Sequence, residues 1–306
     1  MYRAHAVTTP SVRKIVAVAS NKGGVGKTTV ATNLAIALRA LHEDLPILLV
    51  TLDDQATVER MFRIGEPRAG ARTLRDAFAQ RSFADVAELG QFGIHFVAAA
   101  GELEALKARA AEPLTLRRML EASGWDGLVL LDTKSDLEAL TRAALAACDL
   151  AILPVADLAS LEEAERAFAL LAANGADAQR GRLLFTLVDR RTKLDAAGRD
   201  LYERLAEQAE ARGWPRFDAV FSRSPRVEAL NSGQARPRSI LHEAKGTLAQ
   251  KQLRELAEEV TKRLGLASAP AASGDVRPAP KPAAPEPPRD VVADLRSALF
   301  RGLRRR

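Results

Sequence analysis

Cysteine is all but missing from this chain: Cys148 stands alone among 306 residues. One thiol per copy excludes a disulfide framework and any cysteine-ligated metal centre within a single chain. Histidine is scarce too, at positions 5, 42, 95 and 242. These are scattered, without the close spacing of metal ligands, and are read as structural or surface residues. Aromatic residues form only 5 % of the chain, which leaves little for stacking on nucleic-acid bases. Long apolar runs are absent as well. Nothing approaches the ~20 residues that span a bilayer, and MYRAHAVTTPSVRK at the N-terminus lacks the apolar segment of a signal peptide. A cytoplasmic protein is expected.

What the chain has is charge, unevenly placed. The formal net charge is +6, yet residues 1–179 carry 19 basic against 23 acidic side chains. Residues 180–263 carry 18 against 12, and residues 267–306 carry 8 against 4. A polyanion would therefore meet the C-terminal half. Short leucine- and β-branched-rich runs alternate with helical patterns, the signature of an α/β fold: a mostly parallel sheet with helices on both faces. Predicted strands are 14–20, 47–52, 94–98, 128–132, 150–155, 183–188 and 217–221. Predicted long helices are 27–41, 137–147, 159–173, 195–212 and 247–264.

The organisation that follows has four parts. Residues 1–12 form a flexible N-terminal segment, and 13–266 form the folded body. Residues 267–289 are an Ala/Pro-rich linker that cannot build a core. Residues 290–306 form a short basic amphipathic helix, with Val292, Leu295, Leu299, Phe300 and Leu303 as its apolar residues and Asp290 as its cap.

The most informative stretch is NKGGVGKTTVATNLAIAL (21–38), between a predicted strand and a predicted helix. Gly23, Gly24 and Gly26 let the N–H groups of residues 23–29, Val25 and Thr29 included, converge on phosphate oxygens. The positive end of the following helix faces the same anion. Lys27 is placed for the β- and γ-phosphates of ATP, and the Thr28 hydroxyl for Mg²⁺. A second lysine, Lys22, has no role in an ordinary phosphate loop.

KGGVGKTT (22–29) resembles the deviant Walker A motif of the ParA/MinD family of P-loop ATPases, and the resemblance runs from Lys14 to Leu264. It implies that Lys22 reaches across a face-to-face homodimer to the partner's ATP. ILLVTLDDQAT (47–57) resembles the family's D-x-D-P-Q strand end. There Asp53 is implied as the residue that orients the attacking water, beside the metal, while Thr51 and Asp54 replace an aspartate and a proline. WDGLVLLDT (125–133) resembles the Walker B strand, with Asp132 as a Mg²⁺ ligand through water; Lys134 and Ser135 then stand where the family has prolines. Lys134 is either functional beside the γ-phosphate or simply solvent-facing. DLAILPV (149–155) matches the next family strand.

FTLVDRRTKLD (185–195) and SRSPRVEALNSGQARPRSIL (222–241) resemble late ParA segments. They imply adenine contacts at Asp189, Ser224 and Pro225, and a DNA contact at Arg191. Arg216, Arg223, Arg226, Arg236 and Arg238 form a basic set suited to phosphate backbones; a merely solvated face is the alternative.

Paired cysteines are required by the nitrogenase iron protein and cluster carriers of this family, and a tyrosine-rich tail by its kinases. One cysteine and two tyrosines, Tyr2 and Tyr202, argue against both. The expectation is a ParA-like ATPase: a homodimer with ATP, bound to non-specific DNA at the nucleoid, positioning or partitioning a cargo. Slow hydrolysis, stimulated by a partner protein, would release it. A MinD-like cell-division ATPase is the alternative, with the C-terminal helix on a membrane surface; a protein partner or the chain's own body are the helix's other possible contacts. A scaffold without turnover is the third, suggested by Thr51 and Lys134 and opposed by Lys22, Lys27 and Asp53.

Overall fold

The computed structural model describes residues 14–66, 70–99, 101, 103–173, 178–231 and 236–266. The N-terminal segment, the linker and the amphipathic helix with Val292, Leu295, Leu299, Phe300 and Leu303 lie outside the described residues.

Seven strands form one sheet: β1 (Lys14–Val18), β2 (Ile47–Leu52), β3 (Glu88–Leu89), β4 (His95–Val97), β5 (Leu128–Thr133), β6 (Leu150–Val155) and β7 (Gly181–Phe185). Their order is β3-β4-β2-β5-β1-β6-β7, parallel throughout except for the two-residue β3. The helices are α1 (Lys27–Leu41), α2 (Thr57–Phe62), α3 (Leu74–Gln80), α4 (Glu104–Lys107), α5 (Thr115–Ala122) and α6 (Ala139–Ala147). They continue as α7 (Leu158–Ala173), α8 (Leu201–Ala211), α9 (Pro225–Asn231), α10 (Ile240–Glu243) and α11 (Leu248–Leu264).

The apolar strands are explained by two cores. Alternate residues of one strand enter opposite layers, because side chains alternate along a strand. Ile15 and Ala17 of β1, Val129 and Leu131 of β5 and Leu48 and Val50 of β2 join α5, α6 and α7 on one face. Val16 and Val18, Leu128 and Leu130, and Ile47 and Leu49 join α1 and α11 on the other. Every position of β2, β5 and β6 is buried.

Two expected elements differ. The run 217–221 forms no regular strand; segment 215–223 follows β7 through spaced backbone bonds, including Phe217 N to Leu183 O at 2.9 Å and Phe221 N to Phe185 O at 2.8 Å. The helix expected from 195 begins at Leu201. Asp200 caps it, accepting from Glu203 N while Glu203 accepts from Asp200 N, a reciprocal box that fixes the start. Residues 195–199 are turned instead onto Asp195, which takes the Arg199 backbone and guanidinium.

The chain leaves β1 towards β2 on one side and reaches β6 and β7 on the other. The crevice outside the carboxyl ends of β1 and β5 is therefore the switch point of the sheet, where such folds bind ligands.

Candidate nucleotide-binding site

The loop from Ser20 to Gly26 crosses this crevice and opens directly into α1. Gly24 (φ 75°) and Gly26 (φ 89°) take left-handed conformations that a side chain would resist. Gly23 differs from the other two. It has no positive φ, and a Cβ there would stand 3.7 Å from Ser135 Oγ, an ordinary contact. The loop's shape therefore demands glycine at 24 and 26; Gly23 lines a space adjoining the phosphate loop together with Lys22 and Asp157. Gly26 caps α1 with no side-chain bond, so the first N–H groups of the helix are not claimed by a capping side chain. Thr186, just beyond β7, donates its hydroxyl to Val25 O at 2.8 Å and anchors the loop to the sheet.

The two lysines are placed differently. Lys27 is 6 % exposed and donates to Lys22 O at 3.1 Å and to Ser135 Oγ at 2.6 Å. Burial lowers its pKa, against the opposing pull of Asp132, Asp53 and Asp136. Lys22 pairs with Asp157 at 2.6 Å. Asp157 also accepts from Ser160 N at 2.8 Å in the first turn of α7. Desolvation raises the Asp157 pKa, but Lys22 and the Ser160 donors outweigh it, and the net shift is downward.

Asp132, the penultimate residue of β5, has no exposure at all, and neither carboxylate oxygen has a hydrogen bond of standard geometry. Its pKa is pushed up to about 7 by burial, with Asp53 adding to the rise and the nearby Thr28 hydroxyl and Lys27 ammonium opposing it. Two orphaned oxygens in a dry site beside a threonine hydroxyl fit a hydrated Mg²⁺, which takes one or two carboxylates and leaves its other positions to water and phosphate. Among the described residues no set of three or more acidic, histidine or cysteine side chains could hold a metal by itself. The fit is thus to a metal that arrives with phosphates.

Asp53 is 8 % exposed and accepts from Gln55 N at 3.2 Å. Burial raises its pKa, the Gln55 N–H lowers it, and neighbouring Asp54 raises it again. Thr51 is fully buried, and its hydroxyl is directed into its own turn, 3.3 Å from Asp53 O and 3.4 Å from Asp53 N. Lys134 is neither free nor at the phosphate loop: it pairs with Asp54 at 3.2 Å.

Beside the loop lies a mostly apolar cavity of about 410 Å³, lined by Val30, Leu187, Phe221, Val227, Ile240 and Ala249, with Thr29, Thr186, Ser222, Ser224 and Glu228 as polar groups. It is the right kind of space for a nucleoside base. Its wall is pinned from below. Asn33 accepts from Ile240 N at 2.8 Å and donates to Thr29 O at 2.9 Å, and Gln252 exchanges two 3.0 Å bonds with Ser222.

Of the residues implied for adenine, Ser224 lines this cavity, whereas Pro225, the first residue of α9, does not. Asp189 lies in the adjoining space with Lys22, Gly23 and Asp157, and both its oxygens are taken by Arg191 at 3.0 and 3.1 Å. The arginines separate into two groups. Arg191 and Arg223 share the Asp189 corner. Arg223 pairs with Glu228, Arg226 donates to Glu243 O, Arg238 faces Glu243, and Arg236 is exposed nearby in sequence. Arg216 stands apart, beside Leu183 near the start of β7, and lies over the rings of Tyr202 and Phe185.

Comparison with known proteins agrees with this geometry. A family model described as an AAA domain matches residues 13–166. The chromosome-partitioning ATPase Soj of Thermus thermophilus is 35 % identical over 258 residues, covering 83 % of this chain and 97 % of Soj. This chain belongs to the ParA/MinD family of P-loop ATPases. Within that family the chromosome partitioning protein ParA of Caulobacter vibrioides is 29 % identical over 270 residues, covering 82 % of this chain and 94 % of ParA. The septum site-determining protein MinD of Pyrococcus horikoshii, solved with Mg-ADP, shares the fold at a TM-score of 0.66 and 22 % identity, over 83 % of this chain and 98 % of MinD.

Sequence reasoning missed Asp157, Ser135, Asn33 and Gln252. Asp157 alone carried a signal, since Asp-x-x-Ser at the start of a helical pattern reads as a helix cap.

Proposed function

We propose that this ParA/MinD-family chain is a ParA-type ATPase. It binds Mg-ATP at the Ser20–Thr29 loop and closes into a face-to-face homodimer around two nucleotides. In that state it binds duplex DNA without sequence preference and positions or partitions a cargo. Hydrolysis, stimulated by a partner protein, opens the dimer and releases the DNA.

The observation that carries this proposal is the division of work between the lysines. Lys27 is buried in its own site, where it can meet the β- and γ-phosphates. Lys22 is 36 % exposed and paired with Asp157. A partly exposed cation bonded to Asp157, and not buried among its own site's carboxylates as Lys27 is, is available to a second nucleotide, and it gains more from a triphosphate than from a diphosphate. When bound, Mg²⁺ would neutralise phosphate charge, with Thr28 and Asp132 as its protein ligands. Asp53, beside them, would orient water towards the γ-phosphate. The backbone of Gly23, Gly24, Val25 and Gly26 would wrap the phosphates. The Asp189–Arg191 pair would open, or leave the base to Ser224 and the apolar wall. Arg191, Arg223, Arg226, Arg236 and Arg238 would supply the DNA contacts, doubled by dimerisation. Arg216, engaged with Tyr202 and remote from them, is left out of that surface.

The test uses Asp53→Ala, which should retain ATP and stall before hydrolysis. Titrated against non-specific duplex DNA, it is expected to bind with ATP and not with ADP, with log affinity falling against log salt at a slope of about −4 or steeper. A dimer that forms with ATP and leaves DNA untouched at low salt would overturn the DNA part of the proposal.

A further inference from the structure

At two of the places where this chain departs from the family's motifs, the residues touch. Asp54 stands where D-x-D-P-Q has proline, and Lys134 stands where a proline follows the Walker B strand. They are 80 positions apart, yet the Lys134 ammonium donates to the Asp54 carboxylate at 3.2 Å. Strand register makes this meeting unavoidable: β2 and β5 are neighbours with Thr51 beside Asp132 and Leu52 beside Thr133. The residues that leave the two strand ends therefore emerge side by side.

Each loop is also fastened at its inner end. Thr133 donates its hydroxyl to Val18 O at 3.0 Å, and Ser135 receives the Lys27 ammonium. Asp53 is held within its own turn by Gln55 N and the Thr51 hydroxyl. Among the described residues the Asp54–Lys134 bond is the one side-chain hydrogen bond that joins the two loops to each other. Both partners are a little under half exposed, so the bond is open to salt.

We propose that Asp54 and Lys134 are positioning residues for hydrolysis: their ion pair clasps the loop carrying Asp53 to the loop following Asp132. Proline stiffens a loop by fixing φ in one chain; an ion pair across two loops achieves the same restriction electrostatically. The clasp rests on the role proposed for Asp53 and is tested separately from it. Because the pair touches neither the phosphate loop nor the base cavity, its loss acts on the placement of Asp53 and leaves nucleotide affinity alone.

The experiment compares the full-length chain with D54N, K134M, D54N/K134M, K134R and D54P/K134P. D54N and K134M are each expected to lower kcat about tenfold with KM for ATP changed by less than about twofold, the pattern of a lost positioning contact. The double variant D54N/K134M falls no further than either single one, because the two residues act as one unit. K134R keeps most of the activity, and D54P/K134P recovers it. Raising salt from about 50 mM to about 500 mM slows the parent more than D54P/K134P. Hydrogen exchange without nucleotide supplies a readout independent of turnover: amides of residues 52–56 exchange faster in K134M than in the parent. Singles with parental kcat, or losses that simply add, would overturn the clasp. Asp53→Ala tells the two ideas apart. If it hydrolyses ATP normally, the role of Asp53 fails; if it is inactive while D54N and K134M match the parent, only the clasp fails.

Discussion

Asp132 is a carboxylate that its own fold resists charging. Burial places its pKa at about 7, far above the ordinary value of 3.8, with Asp53 adding to the rise. The sign follows from linkage. A raised carboxyl pKa means that the folded state holds the proton longer than the unfolded one, so stability is lost as pH rises from about 4 to above 7. Asp132→Asn should therefore stabilise the metal-free chain at pH 8 by roughly 4 kcal/mol and confer nothing below about pH 4. Urea titrations in a chelator at both values check it; equal gains at both would mean that charge is not the cause. With magnesium and ATP present the order reverses, since the carboxylate then has its counter-charge. The placement of Lys27 and Thr28 at the start of α1 and of Asp132 near the end of β5 was legible, because a glycine-rich strand-to-helix turn and an apolar strand that closes on an aspartate are local patterns. The ties that set their geometry were not: Lys27 to Ser135 spans 108 positions and Lys22 to Asp157 spans 135. No window of sequence contains such a pair. Gly23 reads like Gly24 and Gly26 in the sequence, but it takes no left-handed turn and a Cβ there would meet only an ordinary contact with Ser135.

At the level of elements, close backbone approach decides as much as apolar pattern. Gly127 enters β5 at φ 151°, and a Cβ there would sit 2.3 Å from Pro46 O. Leu128 N donates to that same carbonyl at 2.9 Å, which starts the pairing of β5 with β2. Gly127→Ala must push β5 away from β2 and with it Asp132 from Thr51; a loss of about 3 kcal/mol or more is expected, in the range of strained backbone combined with overpacking. A melting temperature within a degree or two of the parent's would sink this. The continuous apolar strands 47–52 and 150–155 and the long helices 27–41 and 247–264 were readable because two-sided burial and helical period each repeat along their own segment. Segment 217–221 was expected as a strand too, and its alternate residues Phe217 and Ala219 are indeed buried. It lies at the edge of the sheet beyond β7, where spaced bonds suffice and the regular ladder is not formed. The short helices α2, α4 and α10 were unreadable, as four to six residues carry too little period and owe their form to what they pack against.

For the whole molecule, the proposed ATP-dependent DNA binding is the point to test, and the charge distribution bears on it directly. The body ends in order: Gly265 closes α11 in a left-handed cap, its N–H reaching Lys262 O, and Leu266 is buried with its N–H on Thr261 O. These closing bonds are made within residues 261–266; residues 267–306 carry 8 of the 45 basic side chains. Arg223, Arg226, Arg236 and Arg238 all belong to the body. A chain truncated after Leu266 is therefore expected to melt with the full-length protein. In the Asp53→Ala background it should keep ATP-dependent DNA binding, with a smaller salt slope if the tail's cations also reach phosphates. The opposite result is equally informative. If truncation abolishes DNA binding while the ATP dimer persists, the arginines of the body are a solvated face and the tail holds the polyanion. If neither form binds DNA, and only the full-length chain binds anionic liposomes with ATP, the tail is a surface anchor. Dimerisation then acts by pairing two weak anchors, and not by pairing arginine patches.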